Sequence, residues 1–363
     1  MKKYCVLHKN NFMEIQQLLE LTVAQGASDL HLVTGIPPII RKDGELGAVP
    51  NEAPTTQEAM ENFLKKIMSN DQLERLAVNK EIDFSLAFSE RARFRVNAYT
   101  QRGTWAAAFR LIPSVIPTID SLGLPYTAHT FTTLKQGFIL VTGPTGQGKS
   151  TTLAAILNEI NANRSCHIVT IEDPVEFIFR SQKAIISQRE MGTDTHSWNI
   201  ALRSVLREDP DVVLIGEMRD YETVAAALTI AETGHLVFAT LHTNSAAQTI
   251  DRIVDVFPHE QQDQVRLQLS SVLEAVFSQR LIPSPGAGRV VAYEIMTAST
   301  AIKTAIREGK THQIDSIIQT SSEAGMSTLE ASLASLVTDG KISFEDAQNY
   351  SLRPEQLARM LRR

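Results

Sequence analysis

The sequence has little of what builds disulfide frameworks, zinc sites or membrane spans. Its 363 residues include two cysteines, Cys5 and Cys166, which form no close pair, so neither a disulfide framework nor a structural zinc site is indicated. No apolar run approaches the roughly 18 residues that a membrane-spanning helix needs. Lys2 and Lys3 precede an apolar patch that is too short for a secretory signal. We therefore expect a cytoplasmic protein without direct membrane insertion.

A large excess of positive charge is also missing. The formal net charge is -6, which disfavours a broad basic surface for phosphate backbones, so we predict no nucleic-acid partner. Hydrophobic residues make up 43% of the chain and charged residues 21%, as in an ordinary folded protein. The length exceeds that at which one hydrophobic core usually stops growing, so we expect two domains or slightly more.

The most informative feature that is present is a glycine-rich segment between the apolar run 138–141 and a helix-like stretch over 151–160. The segment reads Gly143-Pro144-Thr145-Gly146-Gln147-Gly148-Lys149-Ser150. This is the phosphate-binding loop pattern in its strand–loop–helix context. The glycines let backbone N–H groups point at phosphate oxygens, and the following helix, which Thr151 continues, adds its positive end. Lys149 can reach the outer phosphates and Ser150 is placed to ligate Mg, so the motif predicts binding of ATP and Mg.

Two apolar strands that follow the loop end in acidic residues. A triphosphatase needs carboxylates at such strand ends, to hold Mg and to orient or deprotonate the attacking water. The first strand, 168–171, is followed by three carboxylates, of which we assign Glu176 as general base. The second, 212–215, leads to Glu217, which is placed to bind Mg through water. Two such ends in order after a phosphate loop favour catalytic acids over solvated loop acids.

Two histidines flank a third apolar strand. His235 precedes it and His242 follows it, and seven residues of strand span more than about 20 Å, so the two rings cannot share one metal. We expect His242 near the terminal phosphate. We place His235 among the residues that respond to the nucleotide, relaying its presence toward a neighbouring surface. The alternative is that both are structural or surface histidines.

These four elements, in this order, resemble the Walker A, Asp box, Walker B and His box of the secretion-superfamily ATPases, the hexameric motors of type II secretion and type IV pili. The resemblance covers nearly the whole chain, because residues 27–31 and 93–97 resemble the PAS-like N-terminal domain of that family. It implies a homo-hexamer in which arginines of the N-terminal domain reach a nucleotide between domains or protomers. Arg95 and Arg110 match these finger positions. The alternative is that they are strand arginines facing solvent.

Within this family the chain resembles the retraction ATPases of the PilT type. It has neither the paired Cys-x-x-Cys zinc element nor the long extra N-terminal region of the assembly and secretion motors. Residues 301–308 match the ends of the retraction group's C-terminal motif, Ala-Ile-Arg-Asn-Leu-Ile-Arg-Glu, but depart from it at Lys303 and Thr304. Those two substitutions remove a planar guanidinium and an amide.

The resemblance implies an ATP-hydrolysing motor for type IV pilus retraction at the inner face of the cytoplasmic membrane. Its partners would be an inner-membrane pilus platform protein and a paralogous pilus ATPase. Two other interpretations stay open. One is a motor for a secretion or conjugation channel. The other is a nucleotide-binding accessory subunit that hydrolyses ATP weakly.

We predict an α/β fold in which a RecA-like P-loop ATPase domain follows a PAS-like α+β domain and precedes a helical extension. From about residue 137, apolar strands alternate with helical segments, which predicts a mostly parallel sheet covered on both faces. Earlier, a single helical pattern occupies roughly 56–77, and alternating strands follow it. The four parts are the PAS-like domain over 1–113, a linker over 114–125, the RecA-like domain over 126–292 and the helical C-terminal extension over 293–363.

Overall fold

The computed structural model describes residues 13–42, 44–89, 92–112, 115–285 and 288–362. Cys5, Lys2 and Lys3 lie outside these residues, as does the predicted boundary between residues 113 and 114. The chain divides into two compact units, Met1–Val115 and Ile116–Arg363. None of the described helices is both long enough and apolar enough to cross a membrane.

The first unit contains a six-stranded sheet with helices, in the strand order β3-β2-β1-β6-β5-β4. All of its strand pairs are antiparallel. The alternation predicted for the later strands is present in β5, where Phe94, Val96 and Ala98 are buried while Arg95 is exposed. The unit is therefore α+β, as predicted. Its elements are α1 (Ile15–Ala24), β1 (Asp29–Val33), β2 (Ile39–Lys42), β3 (Glu45–Ala48), α2 (Gln57–Ile67), α3 (Asn70–Asn79), β4 (Glu81–Ser89), β5 (Ala92–Gln101) and β6 (Thr104–Ile112).

The single helix predicted over 56–77 is wrong, because α2 and α3 are separate helices. Met68 takes an extended conformation after α2, and Ser69 then caps α3. The Ser69 hydroxyl accepts a hydrogen bond from the Gln72 backbone N–H at 3.3 Å, and the Gln72 side-chain oxygen accepts one from the Ser69 N–H at 2.9 Å. This reciprocal capping box satisfies two helix-terminal donors, so a new helix starts here.

The second unit is built on a seven-stranded sheet of order β13-β12-β7-β11-β10-β8-β9. Its pairs are parallel except for β12 with β13. Along β7, Phe138 and Leu140 enter one buried apolar cluster and Ile139 and Val141 enter another. Both faces are thus covered, as predicted. The strands are β7 (Gly137–Thr142), β8 (His167–Glu172), β9 (Ile185–Glu190), β10 (Val212–Ile215), β11 (Leu236–Leu241), β12 (Leu273–Pro283) and β13 (Arg289–Thr297).

Helices connect these strands and follow them. The predicted start of the helical extension at residue 293 falls inside β13, whose pairing with β12 continues to Thr297 opposite Ala275. The segment 301–308 lies mainly in α10, where Lys303 Nζ is 3.9 Å from a Glu274 carboxylate oxygen. The helices are α4 (Thr127–Thr133), α5 (Lys149–Asn163), α6 (Trp198–Val205), α7 (Tyr221–Glu232), α8 (Ala246–Asp255), α9 (His259–Val272), α10 (Thr300–Arg307), α11 (Ile314–Thr320), α12 (Leu329–Thr338), α13 (Phe344–Tyr350) and α14 (Pro354–Leu361).

Candidate active site

The glycine-rich segment forms the turn between β7 and α5. Three of its glycines have positive φ angles, 141° at Gly143, 76° at Gly146 and 80° at Gly148. A Cβ atom at Gly143 would lie 2.4 Å from the backbone oxygen of Gln279 on β12. Only glycine combines this backbone conformation with such a close approach. The residues predicted to hold the nucleotide, 143–151, therefore form a turn over 143–148 at the carboxyl end of a central strand and the first three residues of α5.

The ammonium group of Lys149 folds back over this turn. Its Nζ atom donates hydrogen bonds to the carbonyl oxygens of Gly143 at 2.7 Å and Pro144 at 3.0 Å, and it lies 3.3 Å from Nδ1 of His242. Burial lowers the pKa of Lys149, whereas the negative charges of Glu217 and Glu176 act in the opposite direction. These contacts hold the ammonium group of Lys149 in one position beside the backbone of the phosphate-binding loop.

His242 connects Lys149 to Glu217. Its Nδ1 faces the lysine ammonium, so we assign the ring proton to Nε2, which lies 3.1 Å from a Glu217 oxygen. Arg219 donates to the other Glu217 oxygen at 2.8 Å. That hydrogen bond holds the pKa of Glu217 below its usual range despite partial burial. Residues after β10 and β11 therefore meet the first residue of α5, as expected where parallel strands end at the same sheet edge.

Arg219 was missed in the sequence analysis. It stands two residues after Glu217, where β10 has ended and no strand periodicity indicates a side-chain direction. Its proximity to Glu217 along the chain is the signal that could have found it. By fixing one carboxylate oxygen, Arg219 leaves the other to His242.

Glu172, the last residue of β8, is the buried carboxylate of the site, with 8% of its surface exposed. It accepts hydrogen bonds from the Thr170 hydroxyl at 2.6 Å and from the backbone N–H of Glu176. Burial raises the pKa of Glu172 to about 7. It lines a small cavity together with Ser150, Gly216 and other residues. The side chain of Glu176, the predicted general base, is exposed.

Comparisons with known proteins agree with this geometry. A family model described as type II/IV secretion system protein matches residues 10–349. The chain belongs to this family. A relative named type IV pilus retraction ATPase PilT, from Pseudomonas aeruginosa, is 49% identical over 343 residues, covering 94% of this chain and 99% of the relative. A twitching motility protein from Neisseria gonorrhoeae is 46% identical over 346 residues, covering 95% and 92%.

A solved structure of the pilus retraction motor PilT with bound ADP superposes on this secretion-family chain with a TM-score of 0.90. It is 46% identical in sequence and covers 96% of this chain and 99% of that one. These findings confirm the predicted RecA-like α/β fold, the resemblance to the PilT type and the enzyme class, an ATPase.

The side chains present fit a magnesium ion that is bound together with phosphates. Ser150 lies in the first turn of α5 and lines the same cavity as Glu172. Glu217 is an ionised carboxylate, and His242 lies between it and Lys149 and contacts both. Across the described residues, no cluster of three or more His, Cys, Asp or Glu side chains could hold a metal unaided. Mg²⁺ normally takes one or two protein ligands and completes its shell with phosphate oxygens and water.

His235 lies at the opposite end of β11 from His242. Its Nδ1 atom is 3.0 Å from the Thr233 hydroxyl and 3.1 Å from the Ile230 carbonyl oxygen. The intervening strand Leu236–Leu241 separates the two histidines by about 20 Å. His235 thus lies at the amino end of β11, away from the phosphate-binding loop, and its role in relaying the presence of nucleotide toward a neighbouring surface stays a prediction.

Arg95 and Arg110 are directly opposite each other on β5 and β6 of the first unit. Arg95 is exposed. Arg110 donates through Nε to an Asp29 oxygen at 2.9 Å while 71% of its side chain stays exposed. Burial alone would raise the pKa of Asp29, but hydrogen bonds from Arg110 and Ser28 lower it. Arg95 is thus presented to solvent, whereas Arg110 already has an acidic partner.

Proposed function

We propose that this protein is a hexameric motor that hydrolyses ATP to drive type IV pilus retraction. The observation that carries the proposal is the contact series Lys149–His242–Glu217, which joins the phosphate-binding loop to two neighbouring strand ends. The ADP bound to the similar structure supports nucleotide binding by this chain, and the names of the relatives support pilus retraction as the process that the motor drives.

In this proposal the loop amides and Lys149 bind the phosphates. All three hydrogens of the Lys149 ammonium already face acceptors. A phosphate oxygen that binds this lysine must therefore replace or share one of them. His242 is the acceptor that belongs to another element, so phosphate binding at Lys149 shifts His242 and, through its Nε2, Glu217. His242 thereby senses the terminal phosphate.

Hydrolysis then requires a base, a metal site and compensation of charge. Glu176 would activate the attacking water. Glu172 would position Glu176, because its carboxylate accepts a hydrogen bond from the backbone N–H of Glu176. Ser150 and Glu217 would hold Mg, which when bound neutralises phosphate charge. Arg95 and Arg110, contributed across the ring, would stabilise the developing negative charge.

The ring would work in the cytoplasm, at the inner face of the membrane. Nucleotide-dependent closure of domains, repeated around six protomers, would act on an inner-membrane pilus platform protein. A paralogous pilus ATPase would be a further partner.

A complementation experiment tests whether the motor drives pilus retraction. The chain and its Lys149→Ala variant are expressed at equal levels in a piliated bacterium that lacks its own retraction ATPase, and retraction of labelled pili is recorded. We expect wild type to restore retraction and the variant to leave the pili extended. Equal restoration by the variant would favour the accessory-subunit function. Failure of an ATP-hydrolysing wild type to restore retraction would favour a motor for another channel.

A further inference from the structure

The strand β12 extends beyond the end of its parallel partner. Its pairing with β7 stops at Ser278 opposite Thr142, because the chain turns away at Gly143 into the phosphate-binding loop. β12 itself continues to Pro283 and keeps its other partner, β13, up to Arg289. On the side where β7 has ended, the backbone N–H and C=O groups of residues 279–283 therefore need hydrogen-bond partners from another part of the chain.

Gln147 supplies one such partner from within the loop, for the backbone N–H of Leu281. Its side-chain oxygen accepts a hydrogen bond from the backbone N–H of Leu281 at 2.6 Å. Its backbone oxygen accepts one from the side-chain nitrogen of Gln279 at 2.6 Å. A third contact, from Arg289 to the carbonyl oxygen of Gly146, is longer at 3.4 Å. Gln147 thus continues the sheet edge with one side chain where β7 has ended.

The loop lies tightly against the same part of β12. A Cβ atom at Gly148 would be 3.3 Å from the Gln279 side-chain nitrogen and 3.4 Å from a Leu281 methyl carbon. Gln279 has 1% of its surface exposed, so its amide is held in place by packing. The tip of the loop is therefore attached to a buried part of β12 on one side, while Thr145 and Gly146 are exposed on the other.

This part of β12 is also fixed from the C-terminal helices. Ile282 belongs to a buried cluster with Leu333 of α12 and Leu357 of α14. Arg280 donates to the carbonyl oxygen of Tyr350 at the end of α13 at 3.0 Å. The surface to which Gln147 binds is consequently an integral part of the C-terminal core.

We propose that Gln147 is a positioning residue, which holds the phosphate-binding loop on β12 in the shape that presents its N–H groups to ATP. The inference rests on the proposed nucleotide site and adds a residue that acts through the loop conformation. Holding the loop in advance reduces the conformational freedom that ATP binding would otherwise have to remove. Loss of the attachment should therefore weaken nucleotide affinity more than it slows the chemical step.

Two substitutions test the proposal. Gln147→Ser is too short to reach Leu281, and Gln147→Met keeps the length and volume but has no strong acceptor. For both we expect the Kd for ADP and the KM for ATP to rise between about twofold and tenfold, as for the loss of one hydrogen bond, with a smaller change in kcat. The Leu281 amide should exchange its hydrogen faster than in wild type, while the melting temperature without nucleotide stays within about 2 °C.

Unchanged ADP affinity in both variants would overturn the inference. So would parallel losses of affinity, kcat and melting temperature, because they would show a general structural role. ADP binding by wild type separates this inference from the proposed function. If wild type binds no ADP, the nucleotide site itself is refuted, whereas wild-type binding matched by both variants refutes only the role of Gln147.

Discussion

Replacing Glu172 with glutamine should make the stability of the protein less dependent on pH. The carboxylate is 8% exposed, and burial raises its pKa from 4.5 to about 7. Between these two values the folded chain retains a proton that the unfolded chain has lost. The contribution of Glu172 to the free energy of unfolding of wild type therefore falls as pH rises through this window and levels off above pH 7.

The size of the effect follows from the shift. Each pKa unit corresponds to about 1.4 kcal/mol, so the fully developed cost in the wild type is about 3 kcal/mol. Part of it is already present at pH 5, which leaves about 2 to 3 kcal/mol between pH 5 and pH 8. Glutamine can still accept from the Thr170 hydroxyl. A lost hydrogen bond from the Glu176 N–H would add an offset that does not vary with pH.

Thermal unfolding without nucleotide, at several pH values from 5 to 8, measures this. Relative to wild type, the melting temperature of Glu172→Gln should rise by roughly 5–10 °C more at pH 8 than at pH 5 for a unit of this size. Asp173→Asn, which makes the same acid-to-amide change at an exposed neighbouring residue, is the matched control. A constant difference for Glu172→Gln would refute the assignment of Glu172 as a buried acid that retains its proton.

Three further predictions concern the site and the first unit. Glu217→Gln should raise the Mg concentration that gives half-maximal ATP hydrolysis by about tenfold, because the charge that favours the metal is removed; an unchanged Mg titration would contradict this. Gly143→Ala should abolish binding of a fluorescent ADP and lower stability by more than about 2 kcal/mol, since the new Cβ would lie 2.4 Å from the Gln279 backbone oxygen; retained binding would show that the loop can shift. Arg95→Ala should lower ATP turnover about a thousandfold while the melting temperature stays within about 2 °C, because the side chain is exposed; undiminished turnover would exclude a finger role.

The sequence was sufficient for those parts of the molecule in which one local pattern determines the conformation. The loop followed from glycine spacing, and the strands β7, β8, β10 and β11 followed from short apolar runs. β9 was not predicted, because it is an edge strand whose central residues, Ser187, Gln188 and Arg189, are polar and partly exposed. β13 extends past the predicted boundary because its pairing with β12 is a long-range contact.

Side-chain positions divide in the same way. The rule that parallel strands end at one edge is enough to bring Glu217 and His242 together. The same rule places His235, which precedes β11, at the opposite edge of the sheet from His242. The burial of Glu172 could not be predicted without knowing which strands flank β8 in the sheet. The contact between Gln147 and Leu281 depends on where the β7–β12 ladder stops, and that point is set by tertiary structure.

Whether the chain is an ATP-hydrolysing ring motor is tested by steady-state phosphate release from MgATP by the purified chain, over a series of protein concentrations, beside the Glu176→Gln variant. Turnover per protomer should rise steeply as rings assemble, and the variant should be nearly inactive at every concentration. Negligible wild-type turnover throughout, or a variant as active as wild type, would contradict this expectation.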